Sequence, residues 1–262
     1  MIDVDVRPEA AASADGGLAH LRVSVIIPAL NEAANLPHVL PRMPEGIHEV
    51  ILVDGHSSDD TVAVARSIRP SIRVVMQDGR GKGNALACGF AAASGEILVM
   101  LDADGSTDPA EIPAYVAVLR VGADFAKGSR FVKGGASVDI TPVRRWGNGF
   151  LRGAVNLLYR TRYTDLCYGY NAFWADVLPR LDFGGSGFEI ETLLNISAAR
   201  AGLAVAEVPS VEHARLHGVS KLHPVRDGLR VLRTILRQRV RSETPESASP
   251  ALIPLPLAAP AC

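Results

Sequence analysis

The sequence predicts an α/β protein built on one mostly parallel sheet with helices on both faces. Three observations carry that prediction. Apolar runs of strand length alternate with helical patterns from residue 23 to residue 121, the order of strands joined by crossover helices. The runs Val25-Ile26-Ile27, Val50-Ile51-Leu52-Val53 and Ile97-Leu98-Val99-Met100-Leu101 show no alternation, as strands covered on both faces do not. The last of them ends at Asp102-Ala103-Asp104-Gly105, and the carboxyl edge of an open parallel sheet is where ligands bind.

Residues 1–20, rich in Ala, Asp and Gly without period, read as a flexible leader. The first strand stops at Pro28, and Asn31 is placed to cap a helix opening at Glu32. After the second strand, the loop His56-Ser57-Ser58-Asp59-Asp60 leads a helix through Val62, Ala65 and Ile68, closed by Pro70. Ile72-Arg73-Val74-Val75-Met76 is the third strand, and a glycine loop with a helix of small residues separates it from the fourth. Asp108, Pro109 and Glu111 have the spacing of an N-cap, a first helical position and a capping-box acid for a helix reaching Val121. Phe125-Ala126-Lys127-Gly128-Ser129-Arg130-Phe131 resumes the sheet, and the Gly-containing stretch 132–142 reads as a mobile lid. A helix over 144–159, a loop holding Asp165, Cys167 and Tyr168, a helix from Glu189 to Gly202 and a strand over 203–208 follow. The organisation is a leader (1–20), one domain (21–222), a basic amphipathic helix (223–241) and a disordered tail (242–262).

With 262 residues, 48% hydrophobic and 21% charged, the chain has the composition of one globular α/β domain. A net charge of −1 gives no reason to expect bulk nucleic-acid binding. Three cysteines without Cys-x-x-Cys spacing speak against zinc and for a reducing compartment. No apolar stretch approaches the ~18 residues of a membrane span, so the expectation is a cytoplasmic protein, peripheral at most.

Side chains at i and i+2 of an extended segment leave the same face, so Asp102 and Asp104 can converge on one hard cation, Mg²⁺ or Mn²⁺. An EF-hand is excluded, because its sixth position would be Thr107 rather than Gly and its twelfth Pro113 rather than Glu. Gly79-Arg80-Gly81-Lys82-Gly83 could cradle phosphates through backbone N–H groups. It is not a P-loop, since Met76 stands where the first Gly belongs and Gly83 replaces the Ser or Thr. A dinucleotide fingerprint is missing too: the first strand runs into Pro28-Ala29-Leu30-Asn31.

Six stretches in order, Val25-Ile26-Ile27-Pro28-Ala29-Leu30-Asn31-Glu32, Val53-Asp54-Gly55, Gly81-Lys82-Gly83, Asp102-Ala103-Asp104, Gly128-Ser129-Arg130 and Gly218-Val219-Ser220-Lys221, resemble the family 2 glycosyltransferases of GT-A fold. Within them the pattern is similar to the polyprenyl-phosphate (dolichol-phosphate) mannose and glucose synthases. The resemblance implies an inverting, metal-dependent enzyme that takes a hexose from UDP- or GDP-sugar. It places Pro28, Ala29 and Glu32 at the base and ribose, and Asp54 on the base. Asp102 and Ala103 would face the nucleotide, Asp104 would hold the cation, Arg130 and Lys221 would bind phosphates, and Lys82 would belong to the nucleotide-sugar site. Two stretches depart from the synthases: Gly105-Ser106 where they have Leu-Gln, and Tyr168-Gly169-Tyr170-Asn171 where they have Ser-Gly-Phe-Arg.

A lipid-phosphate acceptor is already ionised and needs no protein base. For a soluble hydroxyl acceptor, the alternative, Asp165 or Glu191 would take the proton; a nucleotide-sugar binding protein without turnover is the alternative of another class. Glu189 and Glu191 open a helix, so at most one of them faces the sugar, and Trp146 and Trp174 read as core or rim anchors. In the last helix Val225, Leu229, Leu232, Leu236 and Val240 make one stripe, repeated one residue later by arginines. That stripe either docks on a membrane face or packs on the sheet.

Overall fold

A computed structural model describes residues 18–185, 187, 189–218 and 224–241. The expected leader lies outside these apart from Leu18–His20, a single 3₁₀ turn whose Leu18 joins the core. The expected tail and Lys221 also lie outside the described residues.

The strands are β1 (Val23–Ala29), β2 (Glu49–Asp54), β3 (Arg73–Met76), β4 (Ile97–Met100), β5 (Phe125–Ser129), β6 (Ala136–Ser137), β7 (Asn171–Trp174), β8 (Val205–Pro209) and β9 (Val211–Glu212). The helices are α1 (Leu36–Val39), α2 (Thr61–Ile68), α3 (Lys82–Ala92), α4 (Ile112–Arg120), α5 (Pro142–Tyr159), α6 (Ile190–Arg200) and α7 (Pro224–Arg241). Seven strands form the main sheet in the order β3-β2-β1-β4-β7-β5-β8, and β6 pairs with β9 beside it. β1 lies parallel between β2 and β4. From β1 the chain fills positions first to one side and then to the other, which opens a crevice at the carboxyl ends of β1 and β4. All four β4 residues are buried, as its unbroken apolar sequence requires.

β7 is the element that the sequence pattern does not announce. It is antiparallel to both β4 and β5, spans four residues and begins on Asn171, a fully buried polar side chain. Three other expectations change. Asn31 caps no helix: it takes a left-handed backbone (φ 60°), and its Oδ1 accepts from Ser58 N–H at 2.8 Å, a conformation that Asn tolerates. Glu111 closes no capping box, because its carboxylate reaches across to accept from Val211 N–H at 3.0 Å and from the Ser210 hydroxyl; Asp108 does cap, accepting from Ala110 N–H at 3.0 Å. The stretch read as a lid is tied down by β6, with Ala136 N–H on Ser210 O at 3.1 Å and Val138 N–H on Glu212 O at 2.9 Å.

α3 lies close on β1 and β2 because Gly89 has no side chain. A Cβ there would overlap Ile26 and stand 3.0 Å from Val53. Gly89→Ala is therefore expected to cost about 1–3 kcal/mol as an overpacked core does, read as a lower denaturant midpoint at unchanged m-value; an unchanged midpoint would show that the helix can lift off freely. A second, smaller core joins α5, α6 and α7 through Leu151, Val155, Ile196, Val231 and Ile235. On α7 the inward face is Asp227, Val231, Ile235 and Gln238, whereas Leu229, Leu236 and Val240 stay exposed. Of the expected apolar stripe, Leu229, Leu236 and Val240 thus do not pack, Leu232 is partly buried against the small core, and the side chain of Val225 lies outside what is described.

Candidate active site

A cleft of about 1060 Å³ opens at the carboxyl ends of β1 and β4. Pro28 and Ala29 end β1 and Glu32 follows it on one wall, and Asp102, Ala103 and Asp104 follow β4 on the floor. Leu101 N–H still bonds Ile26 O at 3.0 Å, so the ladder holds the two strand ends side by side up to the doublet.

Lys82 is the first residue of α3, placed by the loop before it. Gly81 takes φ 87°, Gln77 Nε2 donates to Gly81 O at 2.8 Å, and Gly79 N–H donates to Asn84 Oδ1 at 2.9 Å. The ammonium lies between Asp102 Oδ1 (2.6 Å) and Glu191 Oε1 (2.8 Å). Burial alone would lower its pKa, but the two carboxylates hold it well above the usual lysine range. Burial pushes the Glu191 carboxyl up, against the pull of Lys82. Gly169 closes over this trio: a Cβ there would meet Lys82 Nζ at 2.8 Å and Asp102 Oδ2 at 3.1 Å. Gly169, the one position of this stretch that matches the Ser-Gly-Phe-Arg of the synthases, thus leaves room where the charges meet.

Asp104 accepts from Ser106 N–H at 2.9 Å through Oδ1, and its Oδ2 pairs with Arg215 at 2.9 Å. The same guanidinium pairs with Glu32 at 3.1 Å. Arg215 is brought there because residues 213–216 run along the doublet, with His213 N–H on Ser106 O (2.8 Å) and Leu216 N–H on Asp104 O (3.3 Å). Gly105 (φ +78°) lets Leu216 sit against the turn, 2.7 Å from where a Cβ would be. Sequence reasoning missed Arg215, although it lies three residues before the Gly218 motif; it also missed Arg144, Gln77 and Glu212, which line the cleft.

Asp54 ends β2, buried behind Gly55 and His56 of the cleft wall. Its Oδ2 accepts from Ser57 N–H at 3.0 Å, and its Oδ1 has no partner among the described residues. Glu191 lines the cleft, whereas Glu189 is not among the residues that line it and pairs with Arg230 at 3.7 Å.

Arg130 and Asp165 are not on the cleft wall. Asp165 is 0% exposed and takes the Arg130 guanidinium on both oxygens, at 2.7 and 3.0 Å. Glu212 takes Arg130 Nη1 at 3.0 Å. Each of the three guanidinium nitrogens of Arg130 therefore has a carboxylate partner inside the protein, and the residue lies off the cleft lining, which does not fit its assignment as a phosphate ligand. Asp165, expected to be a solvated loop acid and a base candidate, is a buried counter-ion. Its pKa lies below the ordinary value: burial would raise it, and Arg130 more than offsets that.

Among the described residues no cluster of three His, Cys, Asp or Glu side chains could hold a metal. Asp102 and Asp104 alone fit a cation of the Mg²⁺ or Mn²⁺ kind, which takes one or two carboxylates and completes its shell with phosphate oxygens and water. Four carboxylates, Asp102, Glu191, Glu32 and Asp104, share the two cations Lys82 and Arg215, so the site keeps an excess of negative charge that a diphosphate-bound cation can use.

The undecaprenyl-phosphate mannosyltransferase of Micrococcus luteus is 32% identical over 219 residues, 77% of this chain and 88% of that protein. The polyprenol monophosphomannose synthase of Mycolicibacterium smegmatis is 32% identical over 219 residues, 77% and 81% of the two chains. The crystal structure of glucosyl-3-phosphoglycerate synthase from Mycobacterium tuberculosis, in complex with Mn²⁺, UDP-glucose and phosphoglyceric acid, superposes with a TM-score of 0.69 at 26% identity, over 88% of this chain and 85% of that one. The expected GT-A arrangement holds. The family described as Glycosyl transferase family 2 matches residues 24–181, a span that takes in more than half of the sequence with Lys82 and the Asp102–Asp104 doublet, and this chain belongs to it.

Proposed function

We propose that the chain moves a hexose from a UDP- or GDP-sugar to a polyprenyl phosphate, with inversion, and that Asp102 and Asp104 hold Mg²⁺ or Mn²⁺ beside the donor diphosphate. The observation that carries the acceptor class is the state of the acids. Asp165 is buried under Arg130 and Glu191 is engaged by Lys82, so neither stands free to take a proton, and an acceptor phosphate has none to give. The names of the Micrococcus and Mycolicibacterium relatives support the same class.

In this reading Pro28, Ala29 and Glu32 hold the base and ribose, and Asp54, behind that wall, orders the loop beside the base through Ser57 N–H. An acceptor oxygen attacks the anomeric carbon from the side opposite the diphosphate. The bond to the diphosphate breaks, and its electron pair leaves with the nucleotide. Lys82 and Arg215 are the fixed cations closest to the doublet, placed to stabilise that charge. A divalent cation would add Lewis-acid stabilisation of the leaving oxygens.

A second reading, a hydroxyl acceptor with Glu191 as base, is favoured by that acid's place on the cleft wall and by its raised pKa. The Mycobacterium neighbour, whose complex contains phosphoglyceric acid, points the same way. The test is product formation from radiolabelled GDP-mannose and UDP-glucose, with a short-chain polyprenyl phosphate and with 3-phosphoglycerate as acceptors. Glu191→Gln is expected to keep kcat for the lipid phosphate within about tenfold, against the 10²–10⁴ that a general base contributes. Its effect should fall on donor KM, because Lys82 loses one partner. A collapse of kcat at unchanged donor affinity would establish the hydroxyl reading.

A further inference from the structure

Eight of the twelve exposed large apolar side chains among the described residues fall in two short stretches. Val138, Val143, Trp146, Phe150 and Leu157 belong to α5 and the strap before it, and Leu229, Leu236 and Val240 belong to α7. At about 100° per residue, the α5 set spans an arc of roughly 60° and the α7 set one of roughly 40°. Each arc lies opposite its helix's inward residues, Leu151 and Val155 on α5 and Val231 and Ile235 on α7. Trp146 is 76% exposed, and its ring stacks on Phe150 at 6.2 Å. Gly147, Gly149 and Gly153 have nothing within 4 Å of a Cβ position, so no contact inside the chain demands glycine there. These stripes cover no core and line no part of the cleft.

Charge decides what can cover them. α5 and α7 together carry nine arginines and one acid, Asp227, in a chain whose net charge is −1. A second copy would set one strongly cationic surface against another. An anionic bilayer offers both an acyl region for Trp146 and Phe150 and headgroups for the arginines, and Trp is suited to that boundary. Arg144 of α5 and Arg226 and Arg230 of α7 also line the cleft, so both helices begin at its mouth.

We propose that the exposed faces of α5 and α7 dock the protein on an anionic membrane surface, with Trp146 and Phe150 entering the acyl boundary and the cleft held beside the headgroups. This goes beyond the acceptor assignment and does not depend on it, since any bilayer with anionic lipid would serve.

Only two tryptophans are present, Trp146 and the 3% exposed Trp174, so intrinsic fluorescence reports the proposed contact directly. The full chain is titrated with phosphatidylcholine vesicles, with and without phosphatidylglycerol and free of polyprenyl phosphate. The expected result is a blue shift and protection from aqueous quencher with the anionic vesicles, weakened by salt. The double variant Trp146→Ala/Phe150→Ala should lose roughly tenfold or more in co-sedimentation. Its donor hydrolysis should stay unchanged, because neither residue lines the cleft. An unshifted spectrum, equal partitioning of variant and wild type, or a dimer abolished by the same two substitutions in place of vesicle binding would overturn the proposal. Because no lipid-phosphate acceptor is present, these outcomes are independent of whether the acceptor assignment stands.

Discussion

Asp104→Asn is expected to lower turnover by at least about 10²–10³, the loss seen when one fixed electrostatic stabiliser of a transition state is removed. The shape is kept, and the Ser106 N–H can still be accepted by the amide oxygen in place of Oδ1. What goes is one negative charge at the end of β4, where Asp104 balances Arg215 and, in the proposed reading, a cation on the donor diphosphate. The pair is partly open to solvent, so the thermal midpoint should move little. The decisive comparison is calorimetric binding of the UDP- or GDP-sugar with and without Mn²⁺. Wild type should bind more tightly with the metal, and the variant should not respond to it. Wild-type turnover in the variant, or turnover unaffected by EDTA, would sink the metal assignment.

The part of the site that the sequence made legible is the part made by one strand end at a time. Asp102 and Asp104 were legible as acids just beyond a continuous apolar run, and β4 lies in that run; the extended i, i+2 geometry expected of them is not what forms, because β4 ends at Met100 and Ala103 and Asp104 lie in a turn. Lys82 was legible as a loop residue facing phosphates, but not as the bridge between Asp102 and Glu191, which needs α6 brought 109 positions further along the chain to the same point. Arg215 was invisible for the same reason: no period or spacing links residue 215 to Glu32 and Asp104. β7 escaped because four residues with a buried Asn at the first position carry neither alternation nor a long apolar run. The misreading of Arg130 and Asp165 is of another kind. Both residues were singled out, yet only the fold shows that Asp165, 35 residues on, and Glu212, 82 residues on, claim the guanidinium.

That pairing makes Asp165→Asn the most destabilising of the substitutions considered. Removing one partner of a buried ion pair costs about 3–5 kcal/mol, because the remaining charge is left without compensation. Here two cations lose a counter-ion. Arg130 would keep only Glu212. Lys127, fully buried, already has its pKa lowered by burial, and Asp165 and Glu207 are the charges that oppose that shift. At 2–4 °C per kcal/mol for a chain of this size, the midpoint should fall by roughly 10 °C. Asp139→Asn is the control: its partner Arg144 is held at 3.2 Å, but the carboxylate is 47% exposed, and such pairs contribute about 0–1 kcal/mol. The pH dependence has a definite sign. A carboxyl whose folded pKa lies below its unfolded value contributes stability that is present above the unfolded value and lost as pH falls through the folded one. Wild type should therefore keep the full contribution from neutral pH down to about 3.8, the ordinary aspartate value, and lose it progressively below that. The difference in unfolding free energy between wild type and Asp165→Asn should accordingly be flat near neutrality and shrink on that acid limb. Equal midpoints for Asp165→Asn and Asp139→Asn would mean that the Arg130 network is open to water and does not hold β5 to the loop that carries Asp165.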